Sequence, residues 1–290
     1  MNSTVIRIIV TAAFFFLAPI LGGLLDGMDR KISARMQGRI GPPLLQPFYD
    51  VYKLFHKQII MVNPAQAFLI QCFCITQIFT GCMLFAGFDV MMCFFMLSTG
   101  ATFLVFAAAV THSPYSSMGA QRELLQMLAY EPAVLMTCLG FYLACGSFNV
   151  IDITNTDGSL ILKLPGFFIA FVYCLTIKMR KSPFDLSTSH HPHQELVKGL
   201  TTEIGSRNLA IFHITEWYEN IFLLGIVGMF IANRNPISIL FTIIVILLVY
   251  FLEILIDNCC ARVKWALMLK SAWIVTLLAA GLNFLILMLV

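Results

Sequence analysis

The sequence predicts an all-α, polytopic membrane protein of about eight transmembrane helices, with an amphipathic helix at the membrane surface in the first loop. Composition is the first reason: 59% of the 290 residues are hydrophobic, only 11% are charged, and the mean hydropathy is +0.87, beyond the range of soluble domains. The second is length, because the apolar residues fall in runs of about 20, which as a helix crosses the hydrocarbon of a bilayer. The third is pattern. Runs that are continuous rather than alternating select helices over a β-barrel, the other structure that satisfies its own backbone groups in lipid.

In chain order the expected spans are 6–25, 68–88, 91–110, 125–145, 164–177, 209–231, 237–256 and 267–290. The fifth is short, and the third follows closely on the second. No internal repeat is evident, so 1–290 reads as a single membrane domain with loops at 26–66, 111–124, 178–208 and 257–266. Of the 18 Lys and Arg, fifteen lie in or beside these loops: six in 26–57, one at Arg122, five in 178–207 and three in 262–270. Lys and Arg are retained on the cytoplasmic side, which places all four loops there and both termini outside the cytoplasm of a bacterial or archaeal cell membrane. Arg7, Lys163 and Arg234 are the exceptions. Polar DGMDRK follows the first span without a small-residue cleavage site, so that span is expected to stay as an anchor.

Nine cysteines raise the question of iron–sulfur chemistry, but their spacing argues against it. Seven lie within or at the ends of apolar spans, Cys259 and Cys260 are adjacent, and no C-x-x-C occurs. They read as small buried hydrophobes, and any redox centre is expected in a partner.

The first loop combines three signals. Arg30, Lys31, Arg35 and Arg39 are spaced so that a short helix would gather several on one face, and Gly38, Gly41, Pro42 and Pro43 would end it. In LLQPFYDVYKLFHK, Leu45, Phe48, Tyr52 and Phe55 recur at helical spacing, with Asp50, Lys53 and Lys57 on other faces. That pattern suits a helix lying in the interface, although a basic loop obeying the charge rule would also carry these residues.

Carboxylates inside spans cost several kcal/mol unless protonated, paired or hydrated. Glu131 follows Tyr130 early in the fourth span; Glu216 and Glu219 share a face of the sixth, with His213 one turn earlier; Glu253 lies near the cytoplasmic end of the seventh. They could be helix-end charges that reach water. Glu216 sits deeper by sequence, and several acids at similar depth around His213 suggest a hydrated proton path.

The stretch SPFDLSTSHHPHQELVKG adds Asp185, Glu195, His190, His191 and His193, with Glu203 eight residues after Glu195. If 195–204 were helical, Glu195 and Glu203 would stand on one face. H-H-P-H is a poor zinc signature, because its spacing and proline prevent a regular ligating helix. Solvated or structural histidines, proton exchange and partner docking all remain open readings.

Four ordered motifs, DRKISARMQGRIGPPLLQPFYDVYKLF, GAQRELLQMLAYEP, SPFDLSTSHHPHQELVKGLTTE and ITEWYEN, resemble the membrane subunit that anchors the hydrophilic arm of respiratory complex I, often called subunit 1. The chain looks closer still to its counterpart in energy-converting, Ech-type nickel–iron hydrogenases, which share SPFDLSTSHH followed by Q-E-L. The resemblance implies an eight-helix subunit wedged between the redox arm and an antiporter-like membrane subunit. It also implies no cofactor in this chain, with iron–sulfur clusters and a nickel–iron centre held by partners: the hydrogenase large and small subunits and a ferredoxin-like iron–sulfur subunit. No nucleic acid is expected. The implied activity is hydrogen formation from reduced ferredoxin, coupled to export of protons or sodium ions. Motif by motif, Asp29, Arg30 and Lys31 stand where the family has E-R-K, and Asp50 and Lys53 match the charges after Q-P-F. Arg122 and Glu131 match the third motif, while Asp185, Glu195, Glu203 and Glu216 match acids that line the family's path from redox site to membrane interior.

One departure bears on the choice within the superfamily. Complex I proteins typically read F-D-L-A-E-G-E-S-E-L-V-S-G where this chain reads FDLSTSHHPHQELVKG, three residues longer, with both early carboxylates replaced. That loop forms part of the quinone chamber in complex I, so its loss favours a hydrogenase relative over a quinone-reducing one. A stand-alone transporter or a zinc-dependent membrane enzyme would instead show internal repeats or a helical H-E-x-x-H, and neither occurs.

Overall fold

A computed structural model describes residues 3–58, 63–188 and 198–289. The helices, in chain order, are α1 (Ser3–Met36), α2 (Gln46–Phe55), α3 (Pro64–Ala86), α4 (Val90–Ala109), α5 (Pro114–Cys145), the short α6 (Val150–Thr154), α7 (Pro165–Lys178), α8 (Ser206–Met229) and α9 (Ile237–Cys259). The last rod is α10 (Trp265–Val275), a π-helical stretch (Thr276–Gly281) and α11 (Leu282–Leu289). Among the described residues six helical segments are long and apolar enough to cross a membrane: α1, α3, α4, α5, α9 and the Trp265–Leu289 rod. The short apolar α7 and the 24-residue, charge-bearing α8 occupy the fifth and sixth expected spans. The fold is all-α and polytopic, as the apolar runs require.

Local chemistry sets the helix ends. Pro64, Pro114 and Pro165 open α3, α5 and α7 at positions where a missing N–H costs nothing. The Asn63 side chain caps α3 by accepting from the Ala65 N–H at 3.0 Å. Gly87 ends α3 in the left-handed region (φ +85°), a conformation a β-carbon would strain.

The structure corrects several expected boundaries. The first span does not stop at residue 25: α1 continues to Met36, so Asp29, Arg30, Lys31 and Arg35 ride on its last turns rather than on a separate short helix. Nothing between 26 and 36 breaks a helix strongly, and an Asp26–Arg30 pair at 3.1 Å supports the extension. Likewise α5 starts at Pro114, so Arg122 belongs to that helix rather than to a loop. Gly199–Thr201 forms a single 3₁₀ turn, and the chain is not helical again until Ser206. Residues 198–204 therefore form no continuous α-helix, 195–197 lie outside the described residues, and Glu203 sits half-buried in a turn.

The helix α2 is amphipathic, but its inward face differs from the expected one. Phe48, Val51 and Leu54 pack on Ala210, Ile214 and Trp217 of α8, with the Phe48 and Trp217 rings 5.2 Å apart. Leu45, Tyr49, Tyr52 and Phe55 face outward. The helix is thus clamped to the bundle along one face and keeps an exposed aromatic edge, because Val51 rather than Tyr52 packs in the cluster with Trp217.

The two larger apolar clusters fill most of the bundle. One surrounds Phe94, Phe141, Phe167, Phe171, Phe222 and Phe230. The other, at the end that carries the basic segments, joins Ile70, Phe73, Tyr130, Phe184, Leu186 and Phe212. Close approach of α1 and α8 beside the second cluster depends on Gly22, where an added β-carbon would lie 2.6 Å from the Trp217 Cβ. These contacts hold α1, α5, α7 and α8 together around the charged centre.

Candidate functional site

The last residue of α7 and the segment after it carry three cations into the basic end of the bundle, and each meets an acid from a different direction. Lys178 Nζ lies 2.7 Å from Glu219 of α8 and donates to the Tyr130 hydroxyl of α5 at 3.1 Å. The Arg180 guanidinium grips Glu123 of α5 through Nη2 at 2.7 Å and Nε at 3.1 Å, and reaches Glu216 of α8 through Nη1 at 3.3 Å. Lys181 Nζ lies 2.7 Å from Asp29 of α1 and 4.7 Å above the ring of Tyr250 of α9. Lys178, Arg180, Glu123 and Glu219 are all buried.

Two arms extend this centre. On one side a Glu216 carboxylate oxygen lies 3.2 Å from His213 Nδ1 and accepts from it in the tautomer that carries the Nδ1 proton. Arg30 bridges Asp26 and Asp50 at 3.1 and 2.7 Å, while Gln46 holds the other Asp50 oxygen at 3.0 Å. On the other side Asp185, buried after the turn, receives Arg262 at 2.7 Å, and the Ser182 N–H donates to Asp257 at 2.7 Å. The Gln126 amide donates to the Phe184 carbonyl at 2.5 Å, and the Val263 N–H to the Pro183 carbonyl at 3.1 Å. Segment 178–188 is therefore tied to α1, α5, α8, α9 and the α9–α10 link at once.

A polar cavity of about 480 Å³ opens among these groups, bounded by Asp26, Asp29, Lys178, Arg180, Glu216 and Glu219. Such space is ample for several water molecules, whose placement needs two to four polar partners each. Lys178 forms part of its inner wall and also lines a very small apolar void with Leu97, Tyr130 and Phe171, toward the bundle centre. Paired charges around a hydrated space can exchange partners and protons at low cost, which isolated charges in lipid cannot. Arg180 keeps its charge throughout. Burial alone would lower its pKa, but contact with Glu123 outweighs that and raises it.

The acids expected from sequence are distributed unevenly over this geometry. Asp29, Asp50, Asp185, Glu216 and Glu219 all enter ion pairs, with Arg30 as the link to Asp50. The depth of the α8 acids is the reverse of that expected: Glu219 is 4% exposed, whereas Glu216 is 29% exposed and faces the cavity mouth. Glu131 is half-buried and has no ion-pair partner among the described residues. The α5 acid that joins the network is Glu123, about two turns earlier. Lys31, Arg35, Arg39 and Lys53 point outward, and Arg122 is half-buried. Glu195, His190, His191 and His193 lie outside the described residues. Among those described, no three His, Cys, Asp or Glu side chains cluster closely enough to hold a metal ion.

Sequence reasoning misses Glu123, Lys178, Arg180, Lys181 and Arg262 as site residues. In sequence the cations look like loop charges obeying the positive-inside rule, and Glu123 looks like part of a loop. A signal is nonetheless present: TIKMRKSPFD places three cations directly at a span end, and RELLQM places an acid immediately before apolar residues.

Fold and site together define a polytopic helical membrane protein whose interior carries a set of ion pairs around a polar cavity. The chain belongs to the NADH dehydrogenase family, whose model matches residues 7–288. It is 25% identical over 289 residues to hydrogenase-4 component C of Escherichia coli (strain K12), covering 89% of each chain. It is 28% identical over 235 residues to the H-type subunit of NADH-quinone oxidoreductase from Geobacillus kaustophilus (strain HTA426), covering 73% of this chain and 70% of that one. Among solved structures, the fold matches a chain of the membrane-bound sulfane sulfur reductase, an archaeal respiratory membrane complex. The TM-score is 0.87 at 22% identity, over 97% of this chain and 99% of that chain.

Proposed function

We propose that this chain is the membrane subunit of an energy-converting complex of the complex I and hydrogenase-4 kind, that it anchors a hydrophilic redox arm, and that it couples electron transfer to ion movement. The observation that carries the reading is the buried charge network: three cations of 178–181 paired with Glu219, Glu123 and Asp29 around one polar cavity. Membrane proteins rarely retain such groups without an ion or proton to move. The role is non-catalytic, since the reacting electrons stay in the partner subunits. A redox change in the docked arm alters charge at segment 178–188; Arg180, already shared between Glu123 and Glu216, shifts its weight between them, and the acid it leaves takes up a proton from the cavity. In this reading Asp185 and Glu203 stand at the cytoplasmic entrance, and both chain termini lie outside the cytoplasm.

Within this class the finer reading is an Ech-type nickel–iron hydrogenase, driven by ferredoxin, with proton or sodium ion as the coupling ion. Its iron–sulfur clusters and nickel–iron centre belong to the large, small and ferredoxin-like subunits, and an antiporter-like subunit adjoins it in the membrane. Similarity to hydrogenase-4 component C and the altered FDLSTSHHPHQELVKG loop support it. A quinone-reducing complex is the second reading, favoured by the similarity to the NADH-quinone oxidoreductase chain. Purification of the complex through a tag on this chain separates the two. Nickel in the preparation and hydrogen formation from reduced ferredoxin fit the first reading; inhibitor-sensitive quinone reduction without nickel replaces it with the second.

A further inference from the structure

One ionisable group stands apart from the paired charges. Glu253, in the buried stripe Val249, Tyr250, Glu253 and Ile254 of α9, is 0% exposed, and neither carboxylate oxygen has a hydrogen-bond partner among the described residues. The buried acids Glu123, Asp185 and Glu219 each hold a cation at 2.7 Å. The residues about one turn to either side, Tyr250 and Asp257, both line the polar cavity, so Glu253 lies just behind its wall. The charged groups that act on it are Lys181 and Asp257. Lys181 is committed elsewhere, 2.7 Å from Asp29 and over the Tyr250 ring. The Tyr250 hydroxyl is also committed, donating to the Leu25 carbonyl at 3.0 Å.

An ionised carboxylate without a countercharge or a donor is not sustained in such surroundings, whereas the neutral acid is tolerated. We infer that Glu253 is a proton-binding site beside the cavity, loaded while Lys181 is held by Asp29 and emptied when the Lys181 ammonium turns toward it. The transfer balances simply. The Glu253 O–H bond breaks, its proton passes to cavity water, and the Lys181 charge replaces it beside the carboxylate. When Lys181 returns to Asp29, a proton from the cavity reloads the site. This deepens the coupling reading, on which it rests, by naming one place where a proton waits. It is tested without any transport assay, so either idea can fail alone.

The test is infrared spectroscopy of the purified complex, following the carbonyl stretch of a protonated carboxylic acid and its shift in heavy water. Wild type is expected to show one such band that Glu253→Gln lacks and Glu253→Asp displaces. Asp29→Asn, which frees Lys181, is expected to remove the same band while leaving residue 253 unchanged. If the wild-type spectrum lacks any band sensitive to both changes at position 253, Glu253 is not protonated and the site is lost. If the band survives Asp29→Asn, the control by Lys181 is lost. Should Glu253→Gln fail to assemble, Glu253→Asp and Asp29→Asn give the same decision by displacement and disappearance of the band.

Discussion

The Lys178 ammonium lies 2.7 Å from the Glu219 carboxylate, with both side chains only 4% exposed. Both are buried on the wall of the polar cavity, so each depends chiefly on the other. The Tyr130 hydroxyl, which accepts from Lys178, is a further polar partner of the pair.

Removing one member of this pair strands the other. Lys178→Met is expected to destabilise the protein by about 3–5 kcal/mol, because an uncompensated buried carboxylate remains. The double variant Lys178→Met with Glu219→Gln removes both charges and is expected to restore most of the assembled complex on native gels. It is not expected to restore ion transport. Equal loss in the single and double variants would show that the pair is not a coupled unit.

Arg180 presents a different case, because its fork matters as well as its charge. It binds Glu123 through two nitrogens and Glu216 through a third. A lysine cannot reproduce this planar geometry. Arg180→Lys is therefore expected to cost roughly 1–3 kcal/mol, seen as a lower unfolding midpoint of the solubilised complex. A midpoint equal to wild type would mean that charge alone suffices here.

Asp185 anchors the turn after α7 to the α9–α10 link through Arg262 at 2.7 Å. Asp185→Asn weakens that charged contact and is expected to speed amide hydrogen exchange across 182–188. Exchange in the middle of α3 and α4 is expected to stay as in wild type. Exchange that remains slow across 182–188 would assign the order of this segment to the Gln126 and Val263 hydrogen bonds instead.

The membrane fold is legible in the sequence because the expected spans are predominantly apolar runs, interrupted by only a few ionisable residues, and lipid leaves helices as the answer. Helix ends are less legible. Residues 26–36 look polar enough to be a loop, yet they contain no strong breaker and continue α1 to Met36. In the site, Asp29, Asp50, Asp185 and Glu216 can be found because their motifs recur in a recognisable order. Glu123 and Lys178 cannot, since each pairs with a residue far away in the chain, and such pairing leaves no local pattern. The inversion of Glu216 and Glu219 has the same origin: depth along a helix says nothing about which side meets a cavity. The hydropathy of a helix averages over its faces, and burial of a charge depends on the partner supplied by another helix.

The central claim is that the buried pairs around the cavity move ions when the redox arm turns over. It is tested most directly in inverted membrane vesicles by recording electron transfer and ion uptake together, in wild type and in the double variant Lys178→Met with Glu219→Gln, which leaves neither charge of the pair stranded. The account predicts that the variant still transfers electrons but that its ion uptake falls to the level seen with an uncoupler. A variant that pumps as many ions per electron as wild type would contradict it.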